Sequence, residues 1–110
     1  MINHNILSVS QVITQVKSSL EANYSNVWIK GEIASCKTYP SGHIYLNLKD
    51  SSSQLSGVIF SQDIKNIDNY PESGKEVLVM GNLSLYAPRG QFQLQIKSLY
   101  LSGEGELWLA

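Results

Sequence analysis

Rings and polar side chains share one face of a short alternating segment near the middle of the chain. His43, Tyr45, Asn47 and Lys49 occupy every second position, and the residues between them are apolar. Nucleic-acid bases stack on such rings, and each stacked base contributes about 1–3 kcal/mol whatever its identity. We therefore expect this face to hold unpaired bases, with Tyr45 as the stacking platform.

Two turn-forming segments each add a ring and a cation. The first carries Lys37 and Tyr39, and the second carries Tyr86 and Arg89. A ring can stack on one base, and a cation, above all the arginine fork, can bind a phosphate. With Lys30 from the preceding strand, the candidate nucleic-acid-binding residues are Lys30, Lys37, Tyr39, His43, Tyr45, Asn47, Lys49, Tyr86 and Arg89.

A plainer interpretation of these residues stays open. Aromatic side chains are common on strands because they favour that conformation, and the loop residues also suit ordinary turns. Trp28 and Phe60 are further rings of this kind, which the N-terminal helix could cover instead.

The sequence holds no arrangement typical of a catalytic site. It has no Ser-His-Asp or Cys-His pattern with supporting context, no phosphate-binding glycine loop and no cluster of carboxylates for metal ions. The single cysteine, Cys36, and two histidines lack the spacing of a zinc site, so Cys36 is expected to be a half-buried strand residue. We expect no catalytic residue, no metal and no cofactor within these 110 residues.

Length and charge bound the class of protein. A chain of 110 residues suits one domain, and its net charge of −1 excludes binding that depends mainly on phosphate neutralisation. Positive charge is nevertheless concentrated in residues 27–50 and 84–97, which hold five basic and two acidic residues. There is neither an apolar run of membrane-spanning length nor a secretory signal, so we expect a cytoplasmic protein with no membrane partner.

The pattern of apolar residues predicts a helix followed by five strands. Ser8 and Gln11 fit a capping box, and Val9, Val12, Ile13, Val16 and Leu20 recur at helical spacing, with Lys17 and Glu21 expected to face water. Alternation with a period of two then predicts strands. Their expected bounds are 27–34, 43–49, 54–60, 75–86 and 91–97, with Phe92, Leu94 and Ile96 on one side of the fifth strand and a short helix over residues 61–69.

This order of elements predicts a mainly β fold, a five-stranded antiparallel barrel of the OB type. In such a barrel a helix between the third and fourth strands closes one end, and glycines inside strands, here Gly31 and Gly81, permit sharp bends. We divide the chain into an N-terminal helical segment at 1–24, the barrel at 25–102, and a connection to a further domain at 103–110.

Four segments of the chain resemble the N-terminal OB-fold domain of the exodeoxyribonuclease VII large subunit, and they occur in the same order. They are residues 27–33 (VWIKGEI), 41–50 (SGHIYLNLKD), 84–94 (SLYAPRGQFQL) and 103–105 (GEG). The resemblance runs from about Leu7 to Leu109, although Leu46 stands where the family usually has an aromatic residue and Ala34 where it has serine.

The resemblance implies a single-stranded DNA-binding domain of an enzyme that degrades single-stranded DNA from either end to oligonucleotides. It implies that catalysis lies in a domain beyond Ala110, so that residues 1–110 alone are inactive, and that a small helical subunit binds through that downstream region. The alternative is a free-standing OB-fold module that binds RNA, single-stranded DNA or protein without enzymatic activity, because fold alone does not define function.

Overall fold

The computed structural model describes residues 6–67 and 69–101. The elements run in the order α1 (Val9–Asn23), β1 (Val27–Thr38), β2 (Ile44–Lys49), β3 (Gln54–Ile59), β4 (Glu76–Tyr86) and β5 (Gln91–Leu101). A 3-10 helix, Ser61–Asn66, lies between β3 and β4, and a 3-10 turn, Ala87–Arg89, joins β4 to β5. The expected connection at residues 103–110 lies outside the described residues.

The five strands close into a barrel in the order β1-β2-β3-β5-β4. This confirms the predicted five-stranded OB-type barrel and the hairpin of β2 with β3. The expectation that every pairing is antiparallel is wrong in one place, because β3 and β5 run parallel where Gly57 and Val58 pair with Leu94 and Gln95. These strands are not consecutive, so the path of the chain around the barrel, and not a local turn, sets their direction.

Each strand buries one of its faces in a single core. On β2, Ile44, Leu46 and Leu48 are at most 3% exposed, while Tyr45 between them is 40% exposed. This confirms the predicted phase of β2. The buried cluster comprises Ile33, Ile44, Leu46, Leu48, Ile59, Val77, Val79, Leu94, Ile96 and Leu99.

The predicted helix after β3 is a 3-10 helix that covers one end of the barrel. Ile64 and, just beyond the helix, Ile67 pack against the core, and Ile67 forms a parallel bridge with Leu99. An ion pair of 3.2 Å between the Lys97 ammonium and the Asp63 carboxylate joins β5 to this helix, and both side chains are largely shielded from water. Such shielding makes the pair less sensitive to salt than an exposed one.

Bulges in two strands let the small barrel close. The extra residues are Ala34 on β1, between Ile33 and Ser35, and Lys97 on β5, opposite the step from Met80 to Gly81. A side chain at Gly81 would overlap the carbonyl oxygen of Gln95, so close backbone approach requires glycine there.

The N-terminal helix begins as predicted but packs differently. Ser8 Oγ accepts a hydrogen bond from the Gln11 N–H at 3.1 Å, and Gln11 Oε1 accepts one from the Ser8 N–H at 2.8 Å, which confirms the capping box. The expected buried stripe is wrong in part, because Val9, Val12 and Val16 are 75%, 43% and 42% exposed.

The half-buried face of α1 is rotated from the predicted one and includes Ile13, Lys17 and Leu20. Glu21 was expected to face water, yet its Oε2 accepts a hydrogen bond from Ser84 Oγ at 2.8 Å, which ties the helix to β4. Apolar spacing alone left two neighbouring stripes possible, and the aliphatic stem of Lys17 can cover apolar surface as well as a valine can.

Candidate nucleic-acid interface

A groove of about 1120 Å³ runs across the outer surface of the barrel. Its walls are the connection from β1 to β2, the connection from β4 to β5, and α1, which contributes Lys17. Six of the nine candidate residues line it, and they are Lys37, Tyr39, Tyr45, Asn47, Tyr86 and Arg89.

Tyr45 and Tyr39 form the aromatic centre of one wall. Their ring centroids are 5.0 Å apart with the planes at 77°, an edge-to-face pair, and about 40% of each side chain is exposed. The Lys37 ammonium lies 5.0 Å from the centroid of the Tyr39 ring. The Tyr39 ring is therefore held by two neighbours, Tyr45 and Lys37. A ring held in this way loses little conformational freedom when a base stacks on it, so this wall is prepared for stacking.

Turn geometry positions this wall. The Tyr39 N–H donates to the carbonyl oxygen of His43 at 2.9 Å, and the Gly42 N–H donates to that of Tyr39 at 2.8 Å. Gly42 has a φ of +91°, which favours glycine, so the tight turn fixes where Tyr39 leaves the strand.

The opposite wall is the tip of the β4–β5 hairpin. Its 3-10 turn contains Pro88 and ends at Gly90, which has a left-handed φ of +59°. Tyr86 is 50% exposed and Phe92 is 57% exposed, and both line the groove together with Arg89.

The sequence pattern sets Phe92 on the same side of β5 as Leu94 and Ile96, which are buried, whereas Phe92 is exposed. The hairpin of β4 and β5 extends past the other strands, since β3 pairs with β5 only at Leu94 and Gln95. At Phe92 the inward direction therefore opens onto the groove. The signal available in the sequence was that the alternating runs 75–86 and 91–97 are separated by a turn of only four residues.

The groove carries positive charge although the chain does not. Lys17, Lys37 and Arg89 line it, no carboxylate does, and none of these three cations forms an ion pair with a residue that the structure describes. The Glu21 carboxylate accepts a hydrogen bond from Ser84, which lines the groove, so a negative charge lies at one margin of the groove. Unpaired cations beside exposed rings are what a phosphate backbone with unpaired bases requires.

The structure places the other three candidates elsewhere. The Lys30 and Lys49 ammonium groups lie 4.0 Å from Glu76 and 3.8 Å from Glu32, and all four residues line a separate small depression. His43 turns toward Phe60 in an edge-to-face pair, and its Nδ1 accepts the Ser61 N–H at 3.0 Å. That hydrogen bond gives His43 a role in joining β2 to the 3-10 helix.

Asp50 and Cys36 are two further titratable groups, and neither adds to the positive charge of the groove. Asp50 Oδ1 accepts hydrogen bonds from the N–H groups of Ser52 at 2.8 Å and Ser53 at 2.9 Å, and these bonds lower the pKa of the carboxyl. Cys36 is half-buried on β1 as expected, and burial raises the pKa of its thiol. Within residues 6–67 and 69–101, no three His, Cys, Asp or Glu side chains come together as a metal site would require.

Sequence comparison connects this barrel with DNA-processing proteins. The chain is 44% identical over 101 residues to the exodeoxyribonuclease 7 large subunit of Helicobacter hepaticus, covering 92% of this chain and 24% of that protein. It is 43% identical to the corresponding Haemophilus influenzae subunit over 94% of this chain and 24% of that protein. The resemblance read from the sequence motifs is thereby confirmed, and the chain spans about a quarter of the length of these relatives.

Comparison with solved structures supports the fold. A chain of the S. pombe Stn1-ten1 complex matches with a TM-score of 0.60 and 22% identity, over 77% of this chain and 66% of that one. Asparaginyl-tRNA synthetase from Pyrococcus horikoshii matches with a TM-score of 0.57 and 18% identity, over 80% of this chain and 21% of that one. Within the described residues, no helix has the length and apolar character needed to cross a membrane.

A protein-family model agrees with the barrel fold. The model for the OB-fold nucleic acid binding domain matches residues 7–100, which include α1, strands β1 to β4 and all of β5 except Leu101. The chain therefore belongs to the family of OB-fold nucleic acid binding domains.

Proposed function

We propose that the groove binds single-stranded DNA and that this chain is the DNA-holding domain of an exodeoxyribonuclease large subunit. The observation that carries the proposal is the composition of the groove, with exposed tyrosine and phenylalanine rings on two walls, three cations and, among the described residues, no carboxylate. Rings that face a groove can take up unpaired bases, whereas the bases of a duplex are already stacked on each other.

The relatives supply the enzymatic context of the proposal. They are named exodeoxyribonuclease 7 large subunits, and the chain matches about a quarter of their length. We infer that in the whole protein this domain delivers single-stranded DNA to a nuclease domain outside these 110 residues, in the cytoplasm and together with a small subunit. The candidate residues in the groove then have binding roles and no catalytic one.

Titration of the chain with labelled oligonucleotides tests the proposed function. We expect tighter binding to a single strand than to a duplex of the same sequence at matched salt, and recovery of the oligonucleotide intact. Three phosphate contacts correspond to a slope of log K against log salt of about −2, because each contact contributes about −0.7 for single strands. Equal affinity for single and double strands would contradict the proposal, and a preference for RNA would favour the free-standing module.

The contribution of Arg89 is measurable in the same titration. Arg89→Ala should weaken binding and make the salt slope shallower by about 0.7–1, because one phosphate contact is lost while the stacking rings remain. Lys65→Ala is a matched control, since Lys65 is exposed on the 3-10 helix and does not line the groove. Identical salt slopes for Arg89→Ala and the unaltered chain would remove Arg89 from the interface.

A further inference from the structure

Three polar side chains form a row across the groove floor, on neighbouring strands. Asn47 on β2 is the register partner of both Ser35 on β1 and Ser56 on β3. The Asn47 Nδ2 group donates to Ser35 Oγ at 2.9 Å, and Ser56 Oγ donates to Asn47 Oδ1 at 3.3 Å. The two ends of the amide are thus anchored to different strands, which fixes the direction of its plane.

The anchored amide keeps hydrogen-bonding capacity on the groove side. A primary amide has two N–H donors and an oxygen that accepts two hydrogen bonds, and the serines occupy one of each. Asn47 lines the groove and is half-buried, and its side-chain amide has no other hydrogen-bond partner among the residues that the structure describes. One donor and one acceptor in a fixed arrangement therefore remain for a ligand.

We propose that Asn47 selects unpaired bases by hydrogen bonding to their Watson–Crick edges. The edge of every base offers a donor and an acceptor side by side, so one amide can pair with any of the four. In a duplex the partner base already occupies these groups. Asn47 thus discriminates between single and double strands without discriminating between sequences, and this role rests on the proposed function of the groove.

The position of Asn47 agrees with this role. Asn47 follows Tyr45 by two residues on the same face of β2, a separation of about 7 Å along a strand. A base held at the Tyr45 ring, or the base next to it, therefore has its edge beside the amide. Stacking at Tyr45 supplies affinity for any planar base, and Asn47 adds the requirement that the edge be free.

A modified oligonucleotide separates edge recognition from stacking. The probes are an oligothymidylate of about 12 nucleotides, within the range that one OB fold covers, and the same strand built from N3-methylthymine. The methyl group blocks the edge donor and leaves the ring face available. The unaltered chain should bind the methylated strand roughly three- to tenfold more weakly, the effect of one net hydrogen bond.

Asn47→Ala should reduce this methylation ratio to about one. Tyr45→Ala is the matched control, because it should weaken both strands equally and leave the ratio unchanged. Asn47→Val serves as a second variant should Asn47→Ala fold poorly, since a β-branched residue favours a strand and offers neither a donor nor an acceptor, and its ratio should also fall to about one.

The outcomes distinguish this role from the proposed function. If the unaltered chain binds both strands equally, or if the ratio persists in the folded Asn47 variants, the role of Asn47 is wrong and single-strand binding by the groove still stands. If neither strand binds, the proposed function fails and the role fails with it.

Discussion

Replacement of Leu48 by alanine is expected to lower the free energy of unfolding by about 2–5 kcal/mol, the usual range for a buried leucine. Leu48 is 3% exposed within the core cluster, and its register partners are Ile33 on β1 and Leu55 on β3. Truncation leaves a cavity where three adjacent strands of the barrel meet, and a closed barrel cannot collapse around it without changing its register. Denaturant unfolding of both proteins, with comparable m-values, measures the loss.

The neighbouring residue provides the control for this prediction. Lys49 points away from the core, and its ion pair with Glu32 is 3.8 Å long with both side chains more than 40% exposed. Exposed pairs of this kind contribute about 0–1 kcal/mol, so Lys49→Ala should have a small effect. A larger loss for Lys49→Ala than for Leu48→Ala would mean that the two faces of β2 have been assigned the wrong way round.

The alternating pattern ended β1 at residue 34 and β5 at residue 97, although these strands continue to Thr38 and Leu101. It was sufficient to predict that five strands form because each of them has one buried face. Ile44, Leu46 and Leu48 illustrate this, since a shift by one residue would expose all three. The parallel contact of β3 with β5 could not be predicted in the same way. It depends on how distant segments meet, and hydrophobic alternation along one strand carries no information about which strand lies beside it.

The candidate site was predictable where turns place the residues and less so where side chains choose between partners. Tyr39 and Arg89 reach the groove because tight turns aim them there. His43 has the same outward position as Tyr45, yet its ring nitrogen Nδ1 accepts a hydrogen bond from the backbone N–H of Ser61. Lys49 likewise lies beside a carboxylate from another strand, Glu32. Such partners become neighbours only through the fold, so residue type and spacing could not show that His43 and Lys49 have these contacts. Their part in nucleic-acid binding stays a prediction.

Two groove residues were missed for a related reason. Lys17 was expected to face water on a helix whose rotation the apolar spacing did not determine. Phe92 shares one side of β5 with the core residues Leu94 and Ile96, but the barrel ends before it. Both come from elements at the margin of the barrel, where the rule that apolar residues face the core no longer applies. They give the groove more aromatic and basic groups than the sequence indicated.

Tyr45→Ala is expected to weaken binding of a single-stranded oligonucleotide by about 1–3 kcal/mol, the cost of losing one base-stacking ring. The ring is 40% exposed in the groove and is held edge-to-face against Tyr39, so a base can lie on it without further ordering of the side chain. Tyr45→Phe keeps the ring and should bind nearly as well as the unaltered chain. Fluorescence anisotropy at one salt concentration, with melting temperatures for all three proteins, checks the prediction.

The melting temperatures are needed because Tyr45 also has a buried neighbour. Its register partner Val58 is fully buried, so loss of the ring can expose apolar surface as well as remove a stacking platform. Affinity must therefore be compared per folded molecule. If Tyr45→Ala melts early yet its folded fraction binds with unchanged affinity, the ring shields the barrel and the bases stack elsewhere, with Tyr86 and Phe92 on the opposite wall as the remaining platforms. If affinity falls while the melting temperature holds, Tyr45 acts through direct contact with the bases, because the barrel that positions the groove is unchanged.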